Sequence, residues 1–561
     1  MIRKGRRMQQ DSNLPRAPAR AIVKGAFVLG AAAIVSKLLG TLQKIPLQNV
    51  AGDSVFGIYN AVYPLYTLIL FLATAGLPVA VSRFVAEEMA DGSADGARGV
   101  VKMALTISVG TGLICFILLY AGAGTIASWI GNGQTEDALR SVSFALLFVP
   151  WLATLRGYFQ GLGDMVPTGV SQVTEQLIRV AVMVALLFIL IGMGASDGTI
   201  AAGATFGSAA GALAGLIVMA AYWYVHTRKR KRNVPGEGAV PPVRPRSGRR
   251  VSYKAFIAYA LPICLGSAVL PILTLADTFT VPRLLQQGGL GEAEAMAQFG
   301  LYNHGLPLIQ LVAMIVSSMS VALVPVIAAA RARGTLADVR GSAEASLRLV
   351  WLIGLAASAG MAVTAIPLNV MFYKEAAGYG TMMILSFTAV FSVVQIVSGT
   401  ILQGLGAERA TAYFLLFAAA LKIILNIWLV PRYGIAGAAV SAVGAYALAA
   451  GLSLLRLRSF GFVRLSVRTL ALKPLLATAI MAVATAAVVF ASDEAIAALF
   501  PGFSYRWRQT IVALISVAAG AAVFGIALFR TGALGAADLA AVPKVGAKLL
   551  PLLRKWRIVP H

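Results

Sequence analysis

The chain has 561 residues, of which 59% are hydrophobic and only 12% charged, and its mean hydropathy is +0.81. A soluble protein carries about twice that share of charge, so a soluble enzyme, a disordered chain and a disulfide scaffold are excluded. Unbroken apolar runs also exclude a β-barrel, and the net charge of +25 is read as basic cytoplasmic loops, not as a nucleic-acid surface.

The expected fold class is an all-α polytopic membrane protein with 14 transmembrane helices. The basic segment before residue 21 leads into a first apolar run with no cleavage site behind it, which reads as a retained helix. Spans are expected near 21–43, 56–82, 99–122, 138–160, 166–192, 198–225, 254–282, 297–330, 345–372, 381–404, 409–430, 435–456, 469–491 and 508–530. Of the 47 Lys and Arg, thirty-seven fall on the side that includes both termini, seven on the other and three within spans. That split puts both termini in the cytoplasm. The basic loops also suit anionic membrane lipids.

Ionisable residues inside spans are costly and therefore candidates for function. In chain order the first is Lys37, with Lys44 two helical turns on and on the same face. Either could line a cavity or snorkel to headgroups, the latter being expected of Lys44. Arg179 lies near the middle of the fifth span with Glu175 one turn before it, so local pairing and a cavity role both stand. Asp277 and Arg283 lie toward the outer end of the seventh span. Asp277 could answer Lys37, bind a coupling cation or cap a helix. Lys422 lies near the middle of the eleventh span with no acid nearby in sequence. Arg83 and Arg156 sit at cytoplasmic ends and read as topology signals, though either could meet a phosphate.

The chain echoes itself. Phe56-Gly57-Ile58-Tyr59-Asn60 returns as Phe299-Gly300-Leu301-Tyr302-Asn303, 243 residues on; Pro64 returns as Pro307, and Gln160-Gly161-Leu162-Gly163 as Gln403-Gly404-Leu405-Gly406, at the same offset. Arg179 maps onto Lys422 by it. Two six-helix lobes follow, related by an axis along the membrane normal. The expected organisation is a lobe over 1–225, a basic linker over 226–253, a second lobe over 254–457, an extra helix pair over 458–530 and a basic tail over 531–561. The QGLG segments read as helix stops and not as phosphate loops, since no G-K-[ST] follows.

Cys115 and Cys264 lie in apolar runs, and the three histidines are far apart, so no metal and no cofactor is expected. No nucleophile–base constellation appears, so an enzyme is not expected. The deep and outer cations Lys37, Lys44, Arg179, Arg283 and Lys422 outnumber Glu175 and Asp277, which favours an anionic ligand.

The chain resembles the multidrug/oligosaccharidyl-lipid/polysaccharide exporter superfamily in its fourteen spans and two lobes. Ser36-Lys37-Leu38-Leu39-Gly40 looks like the S-[RK]-x-L-G signature of the flippase branch, and Gly52, Gly57-Ile58-Tyr59 and Pro64 continue the match. The stretch is similar to the stage V sporulation protein B group, which includes Gram-positive MurJ-type lipid II flippases. The resemblance implies a flippase for an undecaprenyl-pyrophosphate-linked sugar, with lipid II of peptidoglycan biosynthesis as leading cargo, and a role for Lys37 at the pyrophosphate. Leu68 stands where the Gram-negative type carries an arginine, so part of the cargo contact differs. Another polyprenyl-linked glycan, a cation-coupled drug antiporter and a scaffold for cell-wall synthesis proteins stay open as alternatives. So does coupling to an ion gradient or to the membrane potential.

Overall fold

In the computed structural model, residues 16–232, 251–268, 271–320, 323–461 and 472–533 are described, and they form helices and turns without a strand. The basic linker and the tail expected after residue 531 lie largely outside the described residues. The first lobe comprises α1 (Arg16–Leu42), α2 (Lys44–Thr74), α3 (Leu77–Ala90), α4 (Ala94–Ile130), α5 (Thr135–Ser143), α6 (Ala145–Gly161), α7 (Val166–Gly192) and α8 (Asp197–Arg232). The second comprises α9 (Tyr253–Ala268), α10 (Ile272–Gln287), α11 (Glu292–Tyr302), a 3₁₀ turn at Asn303–Gly305, α12 (Leu306–Ser320), α13 (Leu323–Arg333), α14 (Leu336–Val363), α15 (Ala365–Tyr373), α16 (Tyr379–Leu385), α17 (Thr388–Gly404) and α18 (Glu408–Ser459). The pair α19 (Lys473–Leu499) and α20 (Tyr505–Arg530) completes the chain.

Among the described residues, eleven helical segments are long and apolar enough to cross a membrane, or twelve with α9 and α10, which bend by 47° against each other. Two of the eleven run to 63 residues (Val28–Ala90) and 52 residues (Glu408–Ser459), against about 20 for one crossing. Each is interrupted at a glycine off helical dihedrals: Gly52 (φ 81°, ψ 179°) and Gly434 (φ 57°, ψ −141°). The expectation of fourteen spans puts a turn at both glycines, whereas the length criterion counts each segment once. A positive φ with extended ψ is open to glycine alone at low cost, which is why the chain turns there. The two QGLG segments end α6 and α17 with Gly163 (φ 77°) and Gly406 (φ 70°) in the left-handed region.

Helix α1 was expected to stop at residue 43, but helical structure resumes at Lys44 and continues to Gly52, which draws Lys44 into the protein. One apolar core runs across both lobes and includes Phe56, Tyr59, Leu139, Met296, Phe299 and Tyr302. A further core joins the first lobe to α9 of the second, around Phe84 and Phe256, and another lies within the second lobe, around Val393 and Leu402. Helix α20 joins the second lobe through Ala513, which packs with Ala365 and Leu368 of α15. Below, "inner" means the end of the basic loops and "outer" the opposite end.

Candidate functional site: a cationic cavity between the lobes

A cavity of about 820 Å³ lies between the lobes, walled by α1, α2, α6 and α7 on one side and by α10, α11 and α12 on the other. Lys37, Lys44, Arg156, Glu175, Arg179 and Asp277 all line it.

The α7 contribution is set by packing behind it. Gly207, Gly211 and Gly215 of α8 recur every fourth residue, and they let the two backbones close together. A Cβ added at Gly207 would lie 2.6 Å from the Arg179 carbonyl oxygen, and one at Gly211 would lie 2.5 Å from that of Glu175. Packed this closely against the small-residue face of α8, α7 presents Gln172, Glu175, Gln176 and Arg179 at the cavity wall. Gly211→Ala is expected to push α7 out of place. Overpacking costs about 1–3 kcal/mol, readable as a lower melting temperature in detergent; an unchanged melting temperature would refute the close-packing account.

Glu175 is shared. Its Oε1 accepts from Arg179 Nη2 at 2.8 Å and its Oε2 from Arg156 Nη2 at 2.8 Å. Arg156 also donates to Ser171 Oγ at 2.8 Å. Of the two readings open for Arg156, topology signal or phosphate contact, its position favours the second: it is a partly buried member of the cavity wall. Arg179 both pairs with Glu175 and lines the cavity. Its Nη1 lies 3.4 Å from Tyr63 Oη, within a row of tyrosines on α2 in which Tyr59 and Tyr63 stack at 5.5 Å between ring centres.

Lys44 does not snorkel. Only 8% of it is exposed, it lines the cavity, and its Nζ lies 3.3 Å from Asn60 Oδ1. The helical continuation past residue 43 is the reason. Lys37 is on the same wall and exposed. Neither lysine has an acidic partner among the described residues.

Lys422 departs from the symmetry expected of it. It is 2% exposed and not on the wall; its Nζ donates to Asp277 Oδ2 at 2.6 Å and to the Leu273 carbonyl at 3.0 Å. Tyr302 Oη donates to the same carboxylate at 2.8 Å and Asn426 Nδ2 at 3.2 Å. Asp277 therefore neither faces Lys37 as a counter-ion nor stands free for a coupling cation, because the ammonium of Lys422 fills that position. Arg283 is also outside the cavity. It donates to the Ser128 carbonyl at 2.6 Å, at the outer end of α4.

At the outer end of the cavity the two lobes meet in an arrangement that sequence reasoning missed. Helices α2 and α11 cross where Gly57 faces the Met296 backbone and Gly300 faces the Asp53 backbone; a Cβ at either glycine would lie 2.1 Å from the facing carbonyl oxygen. These are the same two repeat positions exchanged between lobes. The doubled FGxYN segment was the available signal. Beside the crossing, His304 Nε2 meets Asp53 Oδ1 at 2.7 Å and His304 Nδ1 meets Asn369 Oδ1 at 2.9 Å. Gln48 bridges Asp53 to Glu375. Partial burial and the neighbouring Asp53 carboxylate raise the Glu375 carboxyl above its ordinary range.

Comparison with known proteins places this architecture. A family profile described as "Polysaccharide biosynthesis protein" matches residues 22–331. The chain is 33% identical over 534 residues to the uncharacterized membrane protein YabM of Bacillus subtilis, covering 95% of this chain and 97% of that one. It is 27% identical over 426 residues to the lipid II flippase MurJ of the same organism, covering 73% of this chain and 77% of MurJ. Among solved structures, an inward closed conformation of the lipid II flippase MurJ aligns with a TM-score of 0.58 at 11% identity, over 89% of this chain and 98% of that one. An inward-facing multidrug resistance MATE transporter of the MOP superfamily also aligns at 0.58, with 17% identity over 76% of this chain and 95% of that one. The chain belongs to the polysaccharide biosynthesis protein family, and it is a multi-pass membrane protein with the fold shared by those two solved structures.

Proposed function

We propose that the chain is a flippase that carries a polyprenyl-pyrophosphate-linked glycan precursor from the inner to the outer leaflet by alternating access, with lipid II as leading cargo. The observation that carries this reading is the pair Lys37 and Lys44, two ammonium groups without acidic partners among the described residues, on the wall of the cavity between the lobes. Glu175 and Asp277 are each occupied by internal cations. What is left over is positive. A fixed positive field in a low-dielectric cavity attracts a pyrophosphate and repels an organic cation. The similarity to the lipid II flippase MurJ and to stage V sporulation protein B supports the same cargo class.

In this cycle both termini are cytoplasmic and no cofactor takes part. The head group enters from the inner side, meets Lys37, Lys44 and Arg179, and leaves when the α2–α11 crossing opens. The polyprenyl tail stays in lipid beside α19 and α20. An inside-negative potential favours outward movement of an anionic head by about 2.3 kcal/mol per charge per 100 mV.

The test is expression in a bacterium depleted of its own lipid II flippase, with lipid II at the outer leaflet as readout. Rescue is expected. Lys37→Ala and Lys44→Ala should each cut it by about tenfold or more, since hydrogen bonds to charged groups contribute about 1.5–3 kcal/mol. Absence of rescue by a correctly inserted protein would remove lipid II as cargo.

A further inference from the structure

We infer that the first lobe holds a neutral hydrogen-bonding subsite for the sugar next to the phosphate, built from Ser36 and Gln43 of the first crossing and Gln172 and Gln176 of α7. The inference rests on the flippase reading and deepens it, naming a hydroxyl- and amide-bearing sugar as the part of the cargo this wall grips.

The side-chain atoms Ser36 Oγ, Gln43 Oε1, Gln172 Oε1 and Gln176 Nε2 are buried without a hydrogen-bond partner, and all four residues line the cavity. Gln43 and Gln176 are 4% and 7% exposed. Arg179 Nε, on the same helix face, is also buried and unpaired. Polar atoms buried in this way are costly unless a partner arrives. Gly40 preserves the room for it: a Cβ there would lie 3.1 Å from Gln176 Nε2.

The chemistry of the set discriminates between partners. Phosphate offers acceptors only, so it can answer Arg179 Nε and Gln176 Nε2 but not Gln43 Oε1 or Gln172 Oε1. Those two carbonyl oxygens need donors. Sugar hydroxyls and an acetamido N–H supply donors and acceptors within one ring's span.

The fold itself does not require these glutamines. At the repeat offset, Gln172 and Gln176 become Leu415 and Ala419, which are buried in an apolar core of the second lobe. The same helix positions therefore pack well with carbon, and the polar choice belongs to one lobe only. All the free buried polar atoms of this group face the cavity from the lobe that also carries Lys37, Lys44 and Arg179.

The experiment compares two probes on the full chain in detergent by titration calorimetry: farnesyl pyrophosphate, and the same molecule carrying N-acetylglucosamine. The wild-type protein is expected to bind the glycosylated probe at least about tenfold more tightly. Gln172→Leu with Gln176→Ala, the residue types of the second lobe, should bring that ratio to within about twofold. The ratio within one variant is its own control for folding; should the double variant not fold, Gln172→Met alone should lower the ratio by about threefold. Equal wild-type binding of both probes would overturn the sugar subsite and leave the flippase reading standing. A ratio untouched by the substitutions would overturn the assignment to these glutamines. If neither probe binds, the pyrophosphate reading itself fails and the subsite with it.

Discussion

Alanine at Gly57 or Gly300 is expected to hold the outer end of the cavity open. Each glycine faces backbone, not a side chain that could move away, and the added Cβ would stand 2.1 Å from a carbonyl oxygen. The only relief is separation of α2 from α11. Overpacking of this kind costs about 1–3 kcal/mol, which is roughly a 5- to 150-fold shift in the ratio of closed to open protein. The readout is reaction of a cysteine placed at Thr67, on the cavity wall, with a thiol reagent that cannot cross the membrane, in a Cys115→Ala, Cys264→Ser background. Serine keeps an acceptor for the Gly76 amide that now donates to Cys264 Sγ. Faster labelling from outside and a loss of flipping are expected together. Gly30→Ala is the control, because a Cβ there meets nothing within 4 Å. Labelling of the Gly57→Ala and Gly300→Ala proteins at the wild-type rate would mean that the crossing is not the outer closure.

The two lobes were legible because spans of about 20 apolar residues, a one-sided charge excess and a fixed repeat offset are one-dimensional signals. The closure was less so. The repeat identified Gly57 and Gly300 as equivalent positions, but not that a two-fold relation would set each against the other lobe's backbone. Pairing within the site was less legible still, since one mid-membrane cation repeats while its acidic partner does not. Arg179 maps onto Lys422, yet the position equivalent to Glu175 is Ala418, and the position equivalent to Asp277 is Ile34. The first lobe neutralises its mid-membrane cation from the same helix, one turn away, and the second from another helix, a pairing that only three-dimensional contact reveals.

The same comparison locates the function's asymmetry. Lys37, Lys44 and Arg156 have Thr280, Gln287 and Gly399 as their counterparts. The free positive charge therefore sits on one lobe, and the second lobe's single mid-membrane cation is spent internally on Asp277. In the flippase cycle proposed above, a head group held this way would ride with the first lobe while the second rocks against it, so the binding groups would not be rebuilt between the inward- and outward-facing states.

Removing either member of the Asp277–Lys422 pair is expected to be among the most destabilising single changes in the protein, and removing both should be tolerated. The side chains are only 6% and 3% exposed, and the ammonium and carboxylate meet at 2.6 Å between α10 and α18. Lys422→Met would leave a carboxylate with only Tyr302 and Asn426 as donors. Asp277→Asn would leave an ammonium facing one backbone carbonyl and a neutral amide. Breaking a buried pair from one side costs about 3–5 kcal/mol, whereas replacing both partners by neutral groups is often close to neutral. The double variant Asp277→Asn, Lys422→Met should therefore recover most of the loss, a coupling that a double-mutant cycle on unfolding in detergent would measure. Transport separates a structural pair from a coupling site. A pair that only ties α10 to α18 leaves flipping in the double variant near that of the wild type once the protein is folded. A carboxylate that must exchange Lys422 for a transported cation loses flipping in the double variant as completely as in Asp277→Asn alone. The tight fit of Lys422 against both Asp277 and the Leu273 carbonyl argues for the first outcome, because an incoming cation would have to displace a ligand that the fold has already built in.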